Sequence, residues 1–418
     1  MTIRYGIRWD GRGKPKPARL AALGMALAAI LLLPVSARAD DKVSRSASEI
    51  AGGAGLTGIN DPDGRGVDVA LIDSGVVPVG SLAEGGRVVY GPDFSSERND
   101  NDLRNLDTFG HGTHLAGLIA GRDRITGFGG VAPGARLVSL KIAGADGETN
   151  LARVLSALEW VYRNHDAPGY NIRVVNLSLG VRGGDYRSDV LAWAVERLWQ
   201  EGIVVVAAAG NDGHGAGTLD MPADDPFVIA AGATDMKKTA SPWDDRVADF
   251  SSRSRFRSPD FVAPGTNIVS LRVPGSTLDR EFGGAKVGSK FFRGSGTSQA
   301  AAITSGLAAR LIDARPSLNP DQVKALLVAG AVDLPEPRSA DGAGRVDLRR
   351  SLALPTPNAD AVKQRWALSV LDMDRLRREL DGHDEDLGPA AQWNGRRWSG
   401  RRWSGRRWSG AKWVDSDN

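Results

Sequence analysis

The 418 residues include no cysteine and only five histidines. The first absence excludes disulfides, a thiolate nucleophile and a cysteine-ligated metal. It leaves secretion open, because a chain this long can bury a core that needs no cross-links. The scarcity of histidine makes each one informative. Two of the five, His111 and His114, stand together in Gly110-His111-Gly112-Thr113-His114-Leu115-Ala116-Gly117. Such a pair could bind metal, but the H-E-x-x-H spacing of a zinc-binding helix is missing. A basic core is missing too. The net charge is +3, yet residues 1–39 carry seven Arg/Lys against one Asp, and residues 393–418 carry seven against two. The span between them is therefore at −8, which argues against a nucleic-acid partner.

The ends differ from the middle. Arg4, Arg8, Arg12, Lys14, Lys16 and Arg19 precede an apolar run from Leu20 to Val35, and Ala37-Arg38-Ala39 follows. This is the pattern of a secretory signal peptide, cut after Ala39, and it places the chain outside the cell or at its surface. The apolar run is slightly short for a membrane span, and Pro34 interrupts it. Residues 40–66 are polar, then Gly-rich, and read as an arm. Residues 354–392 read as a Pro-rich linker and a charged helical stretch around Met373 to Leu380. From 393 to 418, Trp393, Trp398, Trp403, Trp408 and Trp413 recur every fifth residue among arginines. A period of five fits neither helix nor strand. This tail is either a solvated extension or a contact for a cell-wall or surface polymer, through Trp stacking on sugars and Arg on anions.

Between the ends, apolar runs alternate with helical spacing. Strands are expected at Val67–Asp73, Arg136–Ile142, Arg173–Gly180, Ile203–Ala209 and Phe227–Ala233. Helices are expected at Leu151–Tyr162, Val190–Glu201, Thr297–Ala314 and Asn319–Ala329, the last with Asn319 as cap and Pro320 in the first turn. The alternation predicts an α/β fold with a mostly parallel sheet covered by helices on both faces. Asp73 would end the first strand, at the edge where catalytic groups gather in open α/β sheets, or serve as a turn residue. In Gly294-Ser295-Gly296-Thr297-Ser298-Gln299-Ala300-Ala301-Ala302 a glycine turn hands over to small helix formers. Ser298 there is either a helix cap or a nucleophile beside free helix N–H groups.

Three blocks resemble the subtilisin-like serine proteases: Val69-Ala70-Leu71-Ile72-Asp73-Ser74-Gly75, His111-Gly112-Thr113-His114-Leu115-Ala116-Gly117 and Gly296-Thr297-Ser298-Gln299-Ala300-Ala301. Their order, Asp then His then Ser, is that of subtilisin. Ala207-Ala208-Ala209-Gly210-Asn211 resembles the family's oxyanion segment, and Asn176-Leu177-Ser178-Leu179-Gly180 its substrate-binding strand. The resemblance covers roughly residues 66 to 350. It implies a three-layer subtilisin-like fold with a catalytic domain at 67–353. It also implies a secreted serine endopeptidase with Asp73, His111 and Ser298 as the catalytic triad and Asn211 in the oxyanion hole. Ser178, Leu179 and Gly180 would then pair with a polypeptide substrate. A monomer without cofactor is expected. The remaining alternative is an inactive scaffold acting through the Trp/Arg tail.

The resemblance also marks departures. Residues 40–66 are too few for the family's N-terminal folding domain. The stretch corresponding to a family calcium loop, Arg122-Asp123-Arg124-Ile125-Thr126, has arginine where an oxygen ligand would be needed, so no metal is assigned, and calcium at another place stays open. Gln299 stands where many relatives have methionine. Asp220 falls near the floor of the pocket for the residue before the cut, which implies a preference for Arg or Lys there. The other reading of Asp220 is an outward-turned loop acid.

Overall fold

The computed structural model describes residues 61–370, apart from 84, 85, 183, 184, 238 and 240, together with 47 and 49–53. The expected signal peptide, the charged stretch around Met373 to Leu380 and the Trp/Arg tail lie outside the described residues. Eight strands form the main sheet: β1 (Asp68–Asp73), β2 (Val88–Asp93), β3 (Arg136–Lys141), β4 (Ile172–Leu177), β5 (Val204–Ala208), β6 (Ile229–Asp235), β7 (Arg246–Val247) and β8 (Phe261–Pro264). Their order is β7-β6-β5-β4-β1-β3-β2, and β8 also pairs with β6. All pairs are parallel except β6 with β7.

The interior strands are Val-, Ile- and Ala-rich, and every residue of β1 and β5 is buried. Strands buried on both faces must be covered on both, and two helix pairs do this. Helices α1 (His111–Ala120) and α4 (Thr297–Ala314) pack against each other on one side. Helices α2 (Leu151–Asn164) and α3 (Val190–Gln200) do so on the other. This is the expected three-layer α/β architecture. Strand β1 sits where the topology reverses, with β3 on one side and β4 on the other, so its C-terminal end opens onto a switch point.

Helix α5 (Pro320–Ala329) starts as the sequence indicates. Gln322 N–H donates to the Asn319 side chain at 2.9 Å, and Asn319 N–H donates to the Gln322 side chain at 3.0 Å. Parts of both expected end segments pack on the body. In the arm, Ala47, Ile50 and Ala51 are buried in the core. In the expected linker, residues 354–370 are fastened to the body, because their polar groups meet buried partners. Pro357 O accepts from Gln322 Nε2, Gln364 Nε2 donates to Phe227 O, and Ser369 N–H and Oγ both donate to the buried carboxylate of Glu196.

Beneath this strap lies a buried charged cluster. Lys324 Nζ donates to Pro226 O at 2.6 Å and Val228 O at 2.9 Å and pairs with Asp260 at 3.1 Å, while Arg257 pairs with the same Asp260 at 2.9 Å. Asp225 is buried beside it and holds the Phe227 N–H at 2.8 Å. Burial pushes the Asp225 carboxyl up to about 8; the Phe227 bond opposes this, and the charge of Glu196 adds to it. A carboxyl raised in the folded state contributes stability that is present below its unfolded value of about 4 and is lost as pH rises through about 8. Asp225→Asn keeps the acceptor for Phe227 and removes the titration. We expect the variant to match the parent near pH 4 and to unfold at a higher temperature at pH 9, with a gain of several kcal/mol. Thermal unfolding across that range checks it; equal melting temperatures at pH 9 would contradict it.

Candidate active site

Asp73, His111 and Ser298 each stand at the junction of a strand edge and a helix. Asp73 is the last residue of β1 and His111 the first of α1, and each is only 1% exposed. His111 Nδ1 lies 2.9 Å and 3.1 Å from the two Asp73 carboxylate oxygens. A carboxylate there can only accept, so Nδ1 carries the proton and Nε2 is left as the basic nitrogen. The approach is close because Gly112 has no side chain: a Cβ at that position would lie 2.1 Å from Gly75 O.

Two groups not foreseen from the sequence hold this junction. Asp107, fully buried, accepts from Gly110 N–H at 2.6 Å, Thr113 N–H at 2.7 Å and Ser74 Oγ at 2.8 Å. It thereby satisfies orphan donors in the first turn of α1, where Gly110 supplies no side-chain cap. Burial raises its carboxyl above the usual range, against the pull of these bonds. Ser74 links the parts: its N–H donates to Asp73 at 2.7 Å, and its Oγ accepts from Gly112 N–H at 3.0 Å. An acid just ahead of a helix start is a legible capping signal, and it marks Asp107. The role of Ser74 depends on tertiary contacts and leaves no such mark. His114 is buried under the same helix; burial, with the neighbouring His111, pulls it down to about 3, so it is neutral at ordinary pH.

Ser298 is the second residue of α4, so it is not the cap. Gly296 precedes the helix and provides no side-chain bond. Instead Asn211 Oδ1 accepts from Thr297 N–H at 2.9 Å and Thr297 Oγ1 at 3.2 Å. Those bonds fix the amide and leave Nδ2 as its remaining donor, close to Gly296 and the helix start. Thr297 Oγ1 also accepts from Gly210 N–H at 3.2 Å, which ties the end of β5 to α4.

The segment after β4 is fixed just as firmly. Ser178 Oγ donates to Ser298 O at 3.1 Å and accepts from Asn176 Nδ2 at 2.9 Å, and Asn176 Oδ1 accepts from Ser305 Oγ on α4. Ser298 Oγ donates to Ser178 O at 3.3 Å. Strand β4 neighbours β1, so the Ser178 segment that bonds Ser298 leaves the sheet at the same C-terminal edge as Asp73, from strands about 5 Å apart. Leu179 is buried, and Gly180, which follows it, is half-buried.

Asp220 does not turn outward. It is 6% exposed and lies between the Ser178–Gly180 segment and Gly210: a Cβ on Gly180 would meet its Cβ at 2.6 Å, and one on Gly210 would meet its Oδ2 at 2.7 Å. Gln299 is buried beside the site. In the stretch singled out for calcium, the Asp123 carboxylate accepts from Ile125 N–H at 2.9 Å and faces Lys290 at 3.9 Å, so it is engaged with its own turn and a lysine. Among the described residues no group of three or more His, Asp or Glu is arranged to hold a metal ion.

Residues 64–346 match the model of the subtilase family. The chain is 38% identical to serine protease AprX of Bacillus subtilis (strain 168) over 300 residues, which is 69% of this chain and 66% of AprX. It is 33% identical to subtilisin DY of Bacillus licheniformis over 273 residues, 65% of this chain and 85% of that protein. The minor extracellular protease Epr of Bacillus subtilis (strain 168) is 31% identical over 281 residues, 67% of this chain and 36% of Epr. The chain thus spans just under two thirds of AprX and about a third of Epr.

Asp107 offers a test of the scaffold apart from the chemistry. Asp107→Ala leaves two helix N–H groups and the Ser74 hydroxyl without their acceptor in a buried place. We expect it to lower unfolding free energy by roughly 1–3 kcal/mol, read from the denaturant midpoint. A midpoint equal to the parent's would show that the bonds carry no net stability.

Proposed function

The chain belongs to the subtilase family, and from that premise we propose that it is a serine endopeptidase working through Asp73, His111 and Ser298. The observation that carries the reading is the Asp73–His111 bond, which leaves Nε2 of the imidazole as a base at the sheet edge where Ser298 stands. A serine hydroxyl needs such a base to become nucleophilic at neutral pH. His111 takes the Ser298 proton as Oγ adds to the peptide carbonyl, then gives it to the leaving amine; water reverses the sequence and releases the acyl group. Asp73 holds the imidazole tautomer and stabilises the imidazolium. Asn211 Nδ2, oriented through Thr297, donates to the tetrahedral oxyanion together with the Ser298 N–H. The Ser178–Gly180 backbone pairs with an extended substrate as an added strand. No cofactor enters these steps.

Labelling with a serine-directed phosphonate tests the assignment. The parent should react and Ser298→Ala should not; equal labelling would refute it. Asn211→Ala should lower kcat about 10²–10³-fold with little change in KM, which is the loss that follows removal of the corresponding donor in subtilisin itself. An unchanged kcat would remove Asn211 from the oxyanion hole.

We further propose that Asp220 gives the pocket before the scissile bond a preference for Arg or Lys. The support is its position between Gly180 and Gly210, next to the segments that would hold the substrate. A cationic side chain with a bidentate guanidinium suits a buried carboxylate better than an apolar one does. Peptide-library profiling should show Arg or Lys enriched before the cut, and the enrichment should fall in Asp220→Ala. Enrichment of apolar residues in the parent would reject the assignment. The basic leader with its Ala37-Arg38-Ala39 site supports action outside the cell after cleavage at Ala39. The evenly spaced tryptophans of the tail support contact with a cell-wall or surface polymer.

A further inference from the structure

Lys141 ends β3 and lies opposite Asp73 of β1 in the sheet register. It is wholly buried. An ammonium taken out of water needs acceptors for its three N–H groups. Lys141 Nζ has three: a Glu97 carboxylate oxygen, Leu106 O and, at 3.3 Å, Leu103 O. Glu97 is itself held, accepting from Thr108 Oγ1 at 2.8 Å and from Ala145 N–H at 3.0 Å. A lysine satisfied in this way fixes three points of the loop between β2 and α1. The catalytic steps make no use of this side chain.

The loop carries that hold to the catalytic junction by two routes. The first is packing. Asn105 and Leu106 press on Gly75: a Cβ there would lie 2.8 Å from Asn105 O and 2.9 Å from Leu106 O. Gly75 O is in turn the atom against which Gly112 rests. The layers therefore run from the Lys141 ammonium to the Leu106 carbonyl, to Gly75, and to the first turn of α1 with His111. The second route is polar. Asp107 follows Leu106 directly, and its carboxylate accepts from Gly110 N–H, Thr113 N–H and Ser74 Oγ. On the other side, Asn105 N–H donates to Asp93 at the end of β2 at 2.9 Å. An apolar side chain at 141 would take a donor from each carbonyl and the counter-charge from Glu97, and the loop would have to open toward water.

We propose that Lys141 is a positioning residue for the reaction: its buried ammonium holds the 103–107 turn against Gly75 and so sets the His111 imidazole in its seat on Asp73. This rests on the reading of His111 as the base, and the test keeps the two apart.

Lys141→Met in the full chain is compared with the parent at a temperature where both are folded by circular dichroism. One readout is the limiting rate of labelling by a serine-directed phosphonate, together with its half-saturating concentration. The other is the low-field proton resonance of His111 Nδ1–H, assigned by its loss in His111→Ala. We expect the limiting rate to fall by about tenfold or more at unchanged half-saturation, and the resonance to move or broaden. Lys324→Met removes another buried ammonium, in the cluster beneath the strap. It should lower the denaturant midpoint and leave both readouts at the parent's values. A parent-like rate or a parent-like resonance in Lys141→Met overturns the proposal, as does an equal fall in Lys324→Met. Should Lys141→Met not fold, Glu97→Gln loosens the same ammonium and decides by the same readouts. A parent that the phosphonate does not label refutes the protease reading alone, and the resonance then decides the role of Lys141.

Discussion

Everything at the site depends on how near the first turn of α1 comes to the end of β1. A side chain at residue 112 would run into Gly75 O, so the approach is possible only with glycine there. That approach puts His111 within hydrogen-bond reach of both Asp73 oxygens. It also strips water from a carboxylate and from the first-turn N–H groups, which makes replacement bonds obligatory. Asp107 and Ser74 supply them. The buried acid beside the pair is thus a consequence of the packing, and its own bonds hold the imidazole where Asp73 can orient it.

The second half of the site follows the same logic with different groups. Helix α4 begins after a glycine that cannot cap it. The Asn211 side chain takes that place by accepting from Thr297 N–H, and so its Nδ2 is held next to the first turn of the helix. Asn176, Ser178 and Ser305 form a buried chain of hydrogen bonds from β4 to α4. Such networks rigidify when every member is satisfied. One residue therefore does two jobs: Asn211 closes a helix start and, in the proposed mechanism, presents a preorganised donor to the oxyanion.

Much of this is legible in the residues. The alternation of Val/Ile/Ala runs with helical spacing gives the parallel sheet, because strands covered on both faces must be apolar throughout. Asn319-Pro320 gives the start of α5 for a local reason, and local reasons read well. The edge position of Asp73 follows from a buried run that ends in an acid and a glycine. Ser74, Thr297 and Ser305 are not legible in this way, since a small hydroxyl residue carries no sign of which distant donor it will meet. The strap at 354–370 reads as linker for a related reason. Its apolar residues Trp366, Leu368 and Val370 stay exposed and do not hold it, and what fastens it is polar: Gln364 to Phe227 O and Ser369 to Glu196.

The strap changes how the C-terminal region relates to the catalytic body. Glu196 is a buried carboxylate on α3, and burial raises it above its usual range while the bonds from Ser369 pull the other way. Without Ser369 that carboxylate would lose its three described bonds in an apolar wall. The helix face and the strap are therefore mutually required: the strap needs the acid to bind, and the acid needs the strap to be tolerated. The same holds for Gln364, which meets Lys324 and Phe227 O at the edge of the charged cluster. A polar seam of this kind gives little gain from apolar burial but a definite register, because only one placement satisfies all the groups at once. It fixes the register in which residues 354–370 meet the body.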